Sequence, residues 1–508
     1  MKILLLLIAI QLVVVACNKD QRQVPLPIKP QMKQVTQAQH RIMRQASADA
    51  VDYRIVVYDS VTSGIVSNSS SVYDSSLNIM TFRGSQHRDM PYSGSIDTIP
   101  TRFVIDWRFQ TNASTEAESL GYRRKSWGGG AGWTGQPVLM SWNGKPPECI
   151  IGSMDGNVYS IDISSGRLLR EPFDTKNPIK GSISADPSYP GMIYVGQGIR
   201  HTGVSGARAI NVFDSSLYML HSADDRDAYR RWGFFDSSPI IVDSFLFWPA
   251  ENGILYKFIR TSNGPKIHSK LIYRVNGNRE LGIEASMSVY GNVGYIADNG
   301  GSVLCIDLST LAPLWYRTNT DDTDATPVVS IENDTPYIYV GCEVDKQGDS
   351  GIAYMRKISG LTGDLIWEDS IRCRSYRDSM HILNGGMLST PLLGRGQQAN
   401  LIVTTFCRDQ QGSSGILVAY DKYSGKRVYS TRLSAYTWSS PIAFYTRDKH
   451  MYICVGDVIG GLYLIDGANG NILFRQQIGS NFEASPVPIG NSCIIASRGR
   501  SIIKCSLQ

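Results

Sequence analysis

The amino-acid sequence predicts an all-β protein: an eight-bladed β-propeller of four-stranded antiparallel blades, one of them closed by N- and C-terminal strands. Three observations carry this expectation. First, one motif recurs at blade-length intervals: an acidic or polar residue, a turn residue four later, and a bulky or aromatic residue eight later. Its seven copies are Asp162/Gly166/Arg170, His221/Asp225/Tyr229, Arg260/Gly264/His268, Asp307/Leu311/Trp315, Ser359/Gly363/Trp367, Asp421/Gly425/Tyr429 and Asp466/Gly470/Phe474. Second, a polar residue followed by proline recurs where each unit begins, at Gln136-Pro137, Ser238-Pro239, Thr326-Pro327, Thr390-Pro391, Ser440-Pro441 and Ser485-Pro486. Third, the two ends complement each other. Glu483 to Leu507 supplies three strands and stops, and Arg102 to Phe109, with Trp107 in the aromatic position, supplies the fourth.

The elements follow in chain order. Lys2 precedes the apolar run Ile3 to Val15, which fits a secretory h-region and is too short to span a bilayer. The run ends in Val14-Val15-Ala16-Cys17, which looks like a bacterial lipobox. Residues 1–16 are therefore expected to be a lipoprotein signal peptide. Cys17 is then the lipidated residue of a protein anchored in the cell envelope, at the outer membrane. A plain secretory signal with an incidental cysteine is the alternative. Asn18-Lys19-Asp20 resembles a surface-sorting signal, and periplasmic and surface faces both stay open.

Residues 17–50 read as a polar tether containing Pro25, Pro27 and Pro30. As a flexible coil its ends would lie about 30 Å apart. Residues 51–78 are Ser-, Val- and Tyr-rich and predict extra strands, and residues 79–508 the propeller. Within each unit a strand such as Tyr337-Ile338-Tyr339-Val340-Gly341 leads to a glycine turn (Asn252-Gly253, Asn299-Gly300-Gly301, Gly460-Gly461). A third strand follows, then a second turn (Ser165-Gly166, Thr362-Gly363, Ser424-Gly425, Asn469-Gly470). Two tight turns per unit, with glycine supplying positive φ, give four antiparallel strands. Radial repetition of such sheets makes a propeller, and pairing the ends removes its open edges.

Composition narrows the function. Of 508 residues, 42% are hydrophobic and 19% charged, with 48 Gly and 26 Tyr, which suits turn-rich β structure. The net charge of +5 is mild and no Lys/Arg run is dense enough to track phosphates, so nucleic acid is not an expected partner. The seven His show no zinc spacing, and neither a Gly-x-Ser-x-Gly elbow nor a Walker loop occurs. Eight cysteines follow Cys17, mostly inside apolar strands as expected of buried free thiols. If Arg498-Gly499-Arg500 turns the last hairpin, Cys493 and Cys505 face each other across it, as a disulfide or as a packed reduced pair.

Four carboxylates stand three residues before the entry-strand proline or its equivalent: Asp236, Glu284, Asp324 and Glu483, with Leu388 and Trp438 in the matching places elsewhere. Loops entering the innermost strands line the channel mouth, so these acids would converge there. A cluster of this kind binds a cation or a basic partner group, or raises the pKa of its own members. Alternatively the acids cap local turns or pair with nearby Arg and Lys. The repeated Asp162, Asp307, Asp421 and Asp466 read as turn caps. Trp315, Trp367, Tyr429 and Phe474 read as blade-to-blade packing. Asp321-Asp322-Thr323-Asp324 has a faint calcium-loop look but lacks the Gly and bidentate Glu of an EF-hand, and reads as a solvated turn. The loop Trp127-Gly128-Gly129-Gly130-Ala131-Gly132-Trp133, preceded by Arg123 and Arg124, reads either as a partner or glycan contact or as a connection between blades.

The segments Ile161-Asp162-Ile163-Ser164-Ser165-Gly166-Arg167, Tyr420-Asp421-Lys422-Tyr423-Ser424-Gly425-Lys426 and Ile465-Asp466-Gly467-Ala468-Asn469-Gly470-Asn471 resemble the repeats of the quinoprotein-like (PQQ-repeat) propeller superfamily. Trp315 and Trp367 match that family's tryptophan-docking positions, and Thr81-Phe82-Arg83-Gly84 looks like its arginine-glycine entry segment. The likeness spans roughly residues 79 to 508 and speaks to fold more than to activity. The superfamily includes dehydrogenases that bind pyrroloquinoline quinone with calcium over the channel, often beside two adjacent cysteines, which are absent here. It also includes non-catalytic envelope lipoproteins such as the lipoprotein of the β-barrel assembly machinery. The lipobox and tether match the second kind better. The expectation is a monomeric, cofactor-free scaffold for protein or glycan partners, touching the membrane only through its anchor. Quinone and calcium binding at the mouth is the alternative, and a carbohydrate-active pair of mouth carboxylates a third.

Overall fold

The computed structural model describes residues 47–508 apart from 68–71, 74–77, 115–127, 133–134, 223–224, 229, 231–232, 276–280, 378–381 and 410–413. Cys17, Arg123, Arg124, Trp127 and Trp133 lie outside the described residues, as do the signal-peptide and tether segments. Among the described residues no helix is long and apolar enough to cross a membrane.

Eight antiparallel sheets are arranged as propeller blades. In blade 1 the order from axis to rim is Val138–Met140, Glu148–Gly152, Asn157–Asp162 and Phe173–Asp174. Blade 2 runs from Ser184–Ala185 to Leu217–Ser222, blade 3 from Ile240–Val242 to Lys266–Val275, and blade 4 from Ser288–Tyr290 to Pro313–Thr318. Blade 5 runs from Val328–Glu332 to Leu365–Arg374, blade 6 from Leu392–Leu393 to Arg427–Leu433, and blade 7 from Ile442–Tyr445 to Ile472–Gln477. Blade 8 takes Val487–Ile489, Ser492–Ser497 and Ser501–Leu507 from the tail and Phe103–Gln110 from the head. Phe103 pairs with Leu507 and Gln110 with Ser501, so the ring closes as the two ends of the sequence predict.

The turn between third and fourth strands holds a positive φ in each of blades 1 to 7: Gly166, Ser215, Gly264, Leu311, Gly363, Gly425 and Gly470. Blade 2 corrects the motif register. Its turn residue is Ser215, so the copy in register is Asn211/Ser215/Met219, while His221 lies in the outer strand and Asp225 beyond it. With Asn211 in the place of the capping acid and Ser215 in that of the glycine, the pattern slipped to His221 and Asp225 further along the chain. Glycine matters here because the aromatic of the preceding blade packs on it. A Cβ on Gly166 would fall 2.7 Å from Trp107, and one on Gly425 2.6 Å from Trp367. The indoles also donate to that next blade, Trp107 to Ile163 O (2.8 Å), Trp315 to Gly360 O (3.1 Å) and Trp367 to Lys422 O (3.0 Å). The acids beside these turns act as caps: Asp162 accepts from Ser165 N, Asp307 from Thr310 N, and Asp421 from Ser424 N.

The polar residue before each entry proline has a structural role. The Ser238 N–H donates to Ser286 Oγ (2.8 Å), Ser286 N–H to Thr326 Oγ1 (3.0 Å), and Thr326 N–H to Thr390 Oγ1 (3.2 Å). Thr390 N–H then donates to Ser440 Oγ and Ser440 N–H to Ser485 Oγ, both at 3.0 Å, and Ser485 N–H reaches Gly135 O of blade 1. This belt of buried hydroxyls satisfies strand-entry amides that have no ladder partner toward the axis.

Two further strands join the ring. Val51–Val57 adds to the rim of blade 3 against Lys266–Val275. Residues 79–96 circle the axis at the end away from the entry loops. Ile79 bridges Leu139 of blade 1, Met80 O accepts from Ala185 N of blade 2, and Gln86 O and His87 O accept from Val289 N and Val329 N of blades 4 and 5. Gly94–Ser95 then pairs in parallel with blade 7, and Ser95 N reaches Gly490 O of blade 8. Arg83 and Arg88 of this segment are fully buried and donate to carbonyls of entry residues, Arg83 to Pro391 and Pro441 and Arg88 to Ser238. The segment plugs the channel.

Candidate functional site: the acidic channel mouth

At the opposite end of the axis, the entry loops of blades 3, 4 and 5 carry Asp236, Glu284 and Asp324. A second ring comes from the turn after the second strand of the same blades: Glu251, Asn299 and Glu343. Glu251 and Asn299 occupy equivalent positions, since each follows a residue that closes the same turn (Ala250 N to Ile254 O, Asp298 N to Ser302 O). Five of these side chains, together with Asp322, form two carboxylate trios, Asp236/Glu251/Glu284 and Asp322/Asp324/Glu343, with one oxygen from each member of a trio within 4.8 Å of the others. Asn299 links them, its Nδ2 donating to Glu284 Oε1 (3.2 Å) and Asp324 Oδ1 (3.3 Å).

The first trio carries its own cation. Lys180, from the loop between blades 1 and 2, places Nζ 2.5 Å from Asp236 Oδ2 and 2.9 Å from Glu284 Oε2. Arg230 adds a contact to Glu251 at 3.3 Å. Burial alone would push the Glu284 carboxyl up, but Lys180, a hydrogen bond with Glu251 and the charge of Arg230 more than reverse it and hold it at about 2. Burial would likewise push the Lys180 ammonium down, and Asp236 with Glu284 instead keeps it well above the lysine range. Glu251 goes the other way: burial, then the charges of Glu284 and Asp236, push it well up.

Among the described residues no lysine or arginine forms an ion pair with the second trio. Asp324 is pushed up to about 8 by burial and then by Glu284, while burial and neighbouring carboxylates push Asp322 and Glu343 well up. The Asp321–Asp324 stretch is therefore not the solvated turn its polarity suggested: Asp321 and Thr323 are fully buried, and Asp322 and Asp324 are each 8% exposed. The physical reason is its place between two blades, where Glu343 N donates to Asp322 O and Gln347 Nε2 to Asp321 Oδ2.

Of the four acids singled out in the sequence, Asp236, Glu284 and Asp324 come together. Glu483 stands apart on blade 8, 3.4 Å from Arg498 and accepting from Asn481 Nδ2 at 2.9 Å, an arrangement of the locally paired kind. Leu388 is buried beside this face without charge. Lys180, Glu251, Asn299 and Glu343 escaped sequence reading because they sit on other loops; equal spacing past each second strand was the available signal. Cys493 and Cys505 pair directly across the last hairpin as buried free thiols, Sγ atoms 3.6 Å apart.

No protein-family model matches the chain, and no curated protein matches it. Solved structures do. A quinohemoprotein alcohol dehydrogenase from Comamonas testosteroni superposes with a TM-score of 0.60 at 11% identity, over 85% of this chain and 80% of that one. What is shared is the eight-bladed propeller fold. A europium-containing methanol dehydrogenase superposes at 0.57 and 12% identity over 84% of this chain and 90% of that one. BamB from Moraxella catarrhalis superposes at 0.49 and 14% identity over 71% and 94%. At such identities the likeness is one of fold, and chemistry must be read from this chain's own residues.

Those residues do not fit pyrroloquinoline quinone with its calcium. The first trio is filled by the Lys180 ammonium, and Asp236, Glu251 and Glu343 are at most 2% exposed.

Proposed function

We propose that this quinoprotein-like propeller is a non-catalytic scaffold, anchored in the bacterial envelope through Cys17, that holds a protein partner on the loop face around the channel mouth. The observation that carries it is the closed axis. The 79–96 segment plugs one end with Arg83 and Arg88, and Lys180 fills the acid trio at the other. With both ends of the axis filled among the described residues, the loops are the working surface. The lipobox-like Val14-Val15-Ala16-Cys17 supports the anchor.

The test places photo-crosslinking residues on the mouth loops (Asn481, Val458) and on the rim (Tyr423, Leu361) in native envelopes. One defined partner captured from the mouth positions and not the rim is the expected result; equal labelling from both overturns it. A glycan partner would instead leave crosslinking silent and show as retention on an envelope-polysaccharide resin. Reconstitution with quinone and Ca²⁺ followed by a dye-linked alcohol assay is expected to give no turnover; turnover would restore the oxidoreductase reading. Cys17→Ser is expected to release the protein from the membrane fraction.

A further inference from the structure

A groove of about 580 Å³ opens on the loop face between blades 6 and 7. Ser414, Arg432, Leu433 and Ser434 line it from blade 6, and Tyr463, Ile472 and Arg475 from blade 7. Strand alternation places its cations. Phe474 packs edge-to-face on Phe103 of blade 8 (5.2 Å), so its neighbour Arg475 points back toward blade 6. Arg432, near the end of the rim strand of blade 6, reaches the groove from the other side. Nearer the axis, the Arg408 guanidinium stacks on Tyr436 at 4.4 Å, and Val458 N–H of blade 7 donates to Tyr436 O.

Each of the two rim guanidiniums is held by a buried acid. Asp409 lies 2.8 Å from Arg432, whose Nη1 also donates to Ser414 Oγ (3.2 Å). Asp457 takes Nε and Nη2 of Arg475, both at 2.9 Å. Gly461 lets the Arg475 guanidinium lie close against the blade, because a Cβ there would collide with it. The acids are buried while the Arg432 and Arg475 side chains stay 47% and 25% exposed, so the groove turns its cations to solvent. Anchoring of this kind fixes a long side chain in advance, and less rotamer entropy is lost when a ligand arrives.

The rings beside these cations are already covered. Arg475 lies over Tyr463 (5.5 Å), which is 1% exposed, and Arg408 over Tyr436. That leaves no bare aromatic face in the groove for a sugar to stack on, and three arginines are too few to track a nucleic-acid backbone. Carboxylates fit better, because the planar guanidinium fork matches them and arginine beside tyrosine is the composition of a protein-binding anchor. Leu433 and the exposed Ile472 add apolar contact for the stem of an acidic side chain. We infer that this groove docks an acidic segment of the protein held on the loop face, its Asp or Glu carboxylates seated on Arg432 and Arg475. The inference rests on the scaffold reading and adds to it the chemistry of the partner and the place where it is gripped.

The test is fluorescence anisotropy of a fluorescein-labelled octaglutamate peptide titrated with the full chain. Saturable binding is expected, weakening at least about tenfold when NaCl rises from ~50 to ~500 mM. Ile472→Glu and Ser434→Glu put a like charge on the exposed lip and spare both Arg–Asp pairs, and each should weaken binding at least about tenfold. Ile472→Lys should keep it, and Leu361→Glu, at a turn outside the groove, should leave it unchanged. Melting curves establish that each variant is folded. Absence of saturable binding overturns the inference, as does wild-type affinity in both glutamate variants. Tighter binding of oligogalacturonate, lost in the same variants, would assign the groove to a glycan and also overturn it. In native envelopes, both variants should reduce partner capture from crosslinkers at Asn481 and Val458. Capture unaltered by either variant overturns the inference and leaves the scaffold reading standing. No capture at any mouth position instead counts against the scaffold reading, and the peptide titration then decides the groove alone.

Discussion

The Lys180 ammonium, carried between blades 1 and 2, lies 2.9 Å from the Glu284 carboxylate on the entry loop of blade 4, so one ion pair spans the channel mouth. Lys180 also neutralises Asp236. Lys180→Met would strand buried carboxylates and should cost about 3–5 kcal/mol, read as a drop in denaturant midpoint without a change in slope. Adding Glu284→Gln should recover part of that loss. A single Lys180→Met variant of wild-type stability would show the contact to be idle.

The hydroxyl belt gives a second expectation. Thr390→Val keeps shape but leaves the buried Thr326 amide without its acceptor, and Ser286→Ala does the same to Ser238. Each should destabilise by about 1–3 kcal/mol in equilibrium urea unfolding. Thr362→Val, at an exposed turn, should stay within about 0.5 kcal/mol. Equal effects at all three sites would mean the belt is decorative.

Ring closure depends on Trp107, which packs on the Gly166 turn and donates to Ile163 O. Trp107→Ala should cost about 3–5 kcal/mol. Its sharper signature is local: limited proteolysis should cut near residues 102–110 before any other blade opens. Uniform cleavage around the ring would contradict the clasp.

The pH dependence follows from Asp324, whose carboxyl is held up at about 8 by burial and by Glu284, with Glu343, Asp345, Lys180 and Lys346 also acting on the trio. An unfolded aspartate titrates near ~3.9. Because the folded value is the higher one, the proton-bound fold is favoured below ~4, and that stability is lost as pH rises through about 8. The protein should therefore melt at falling temperature between pH ~5 and ~8, with a shallower fall in Asp324→Asn. Parallel melting curves for the two proteins would refute this.

The thiols offer a fifth check. Cys493 and Cys505 are both buried; Cys454 and then burial push the Cys493 thiol well up, and Cys493 and then burial do the same to Cys505. Thiolate is the reactive form. Native protein should leave both unlabelled by iodoacetamide, with labelling only after denaturation and reduction; fast native labelling would mean the last hairpin opens.

The propeller, its blade number and its terminal clasp were legible along the chain. They rest on local chemistry repeated many times: a positive-φ turn, an aromatic four residues on, a hydroxyl before proline. The one slipped copy, at His221, fell where Ser215 supplies the positive φ without glycine. Three mouth acids could be named because they share one offset from the entry strand.

Their partners could not. Lys180 lies 104 residues from Glu284, and Glu343 lies 19 residues past Asp324 on a different loop, so only the closed ring brings them within bonding range. Tertiary structure likewise turned Asp321–Asp324 from a polar turn into a buried one, because burial depends on what the neighbouring blade covers. Short-range periodicity writes the architecture into the chain. The balance of charge at the mouth arises from residues that meet solely through long-range closure, and so it exists only in the folded ring.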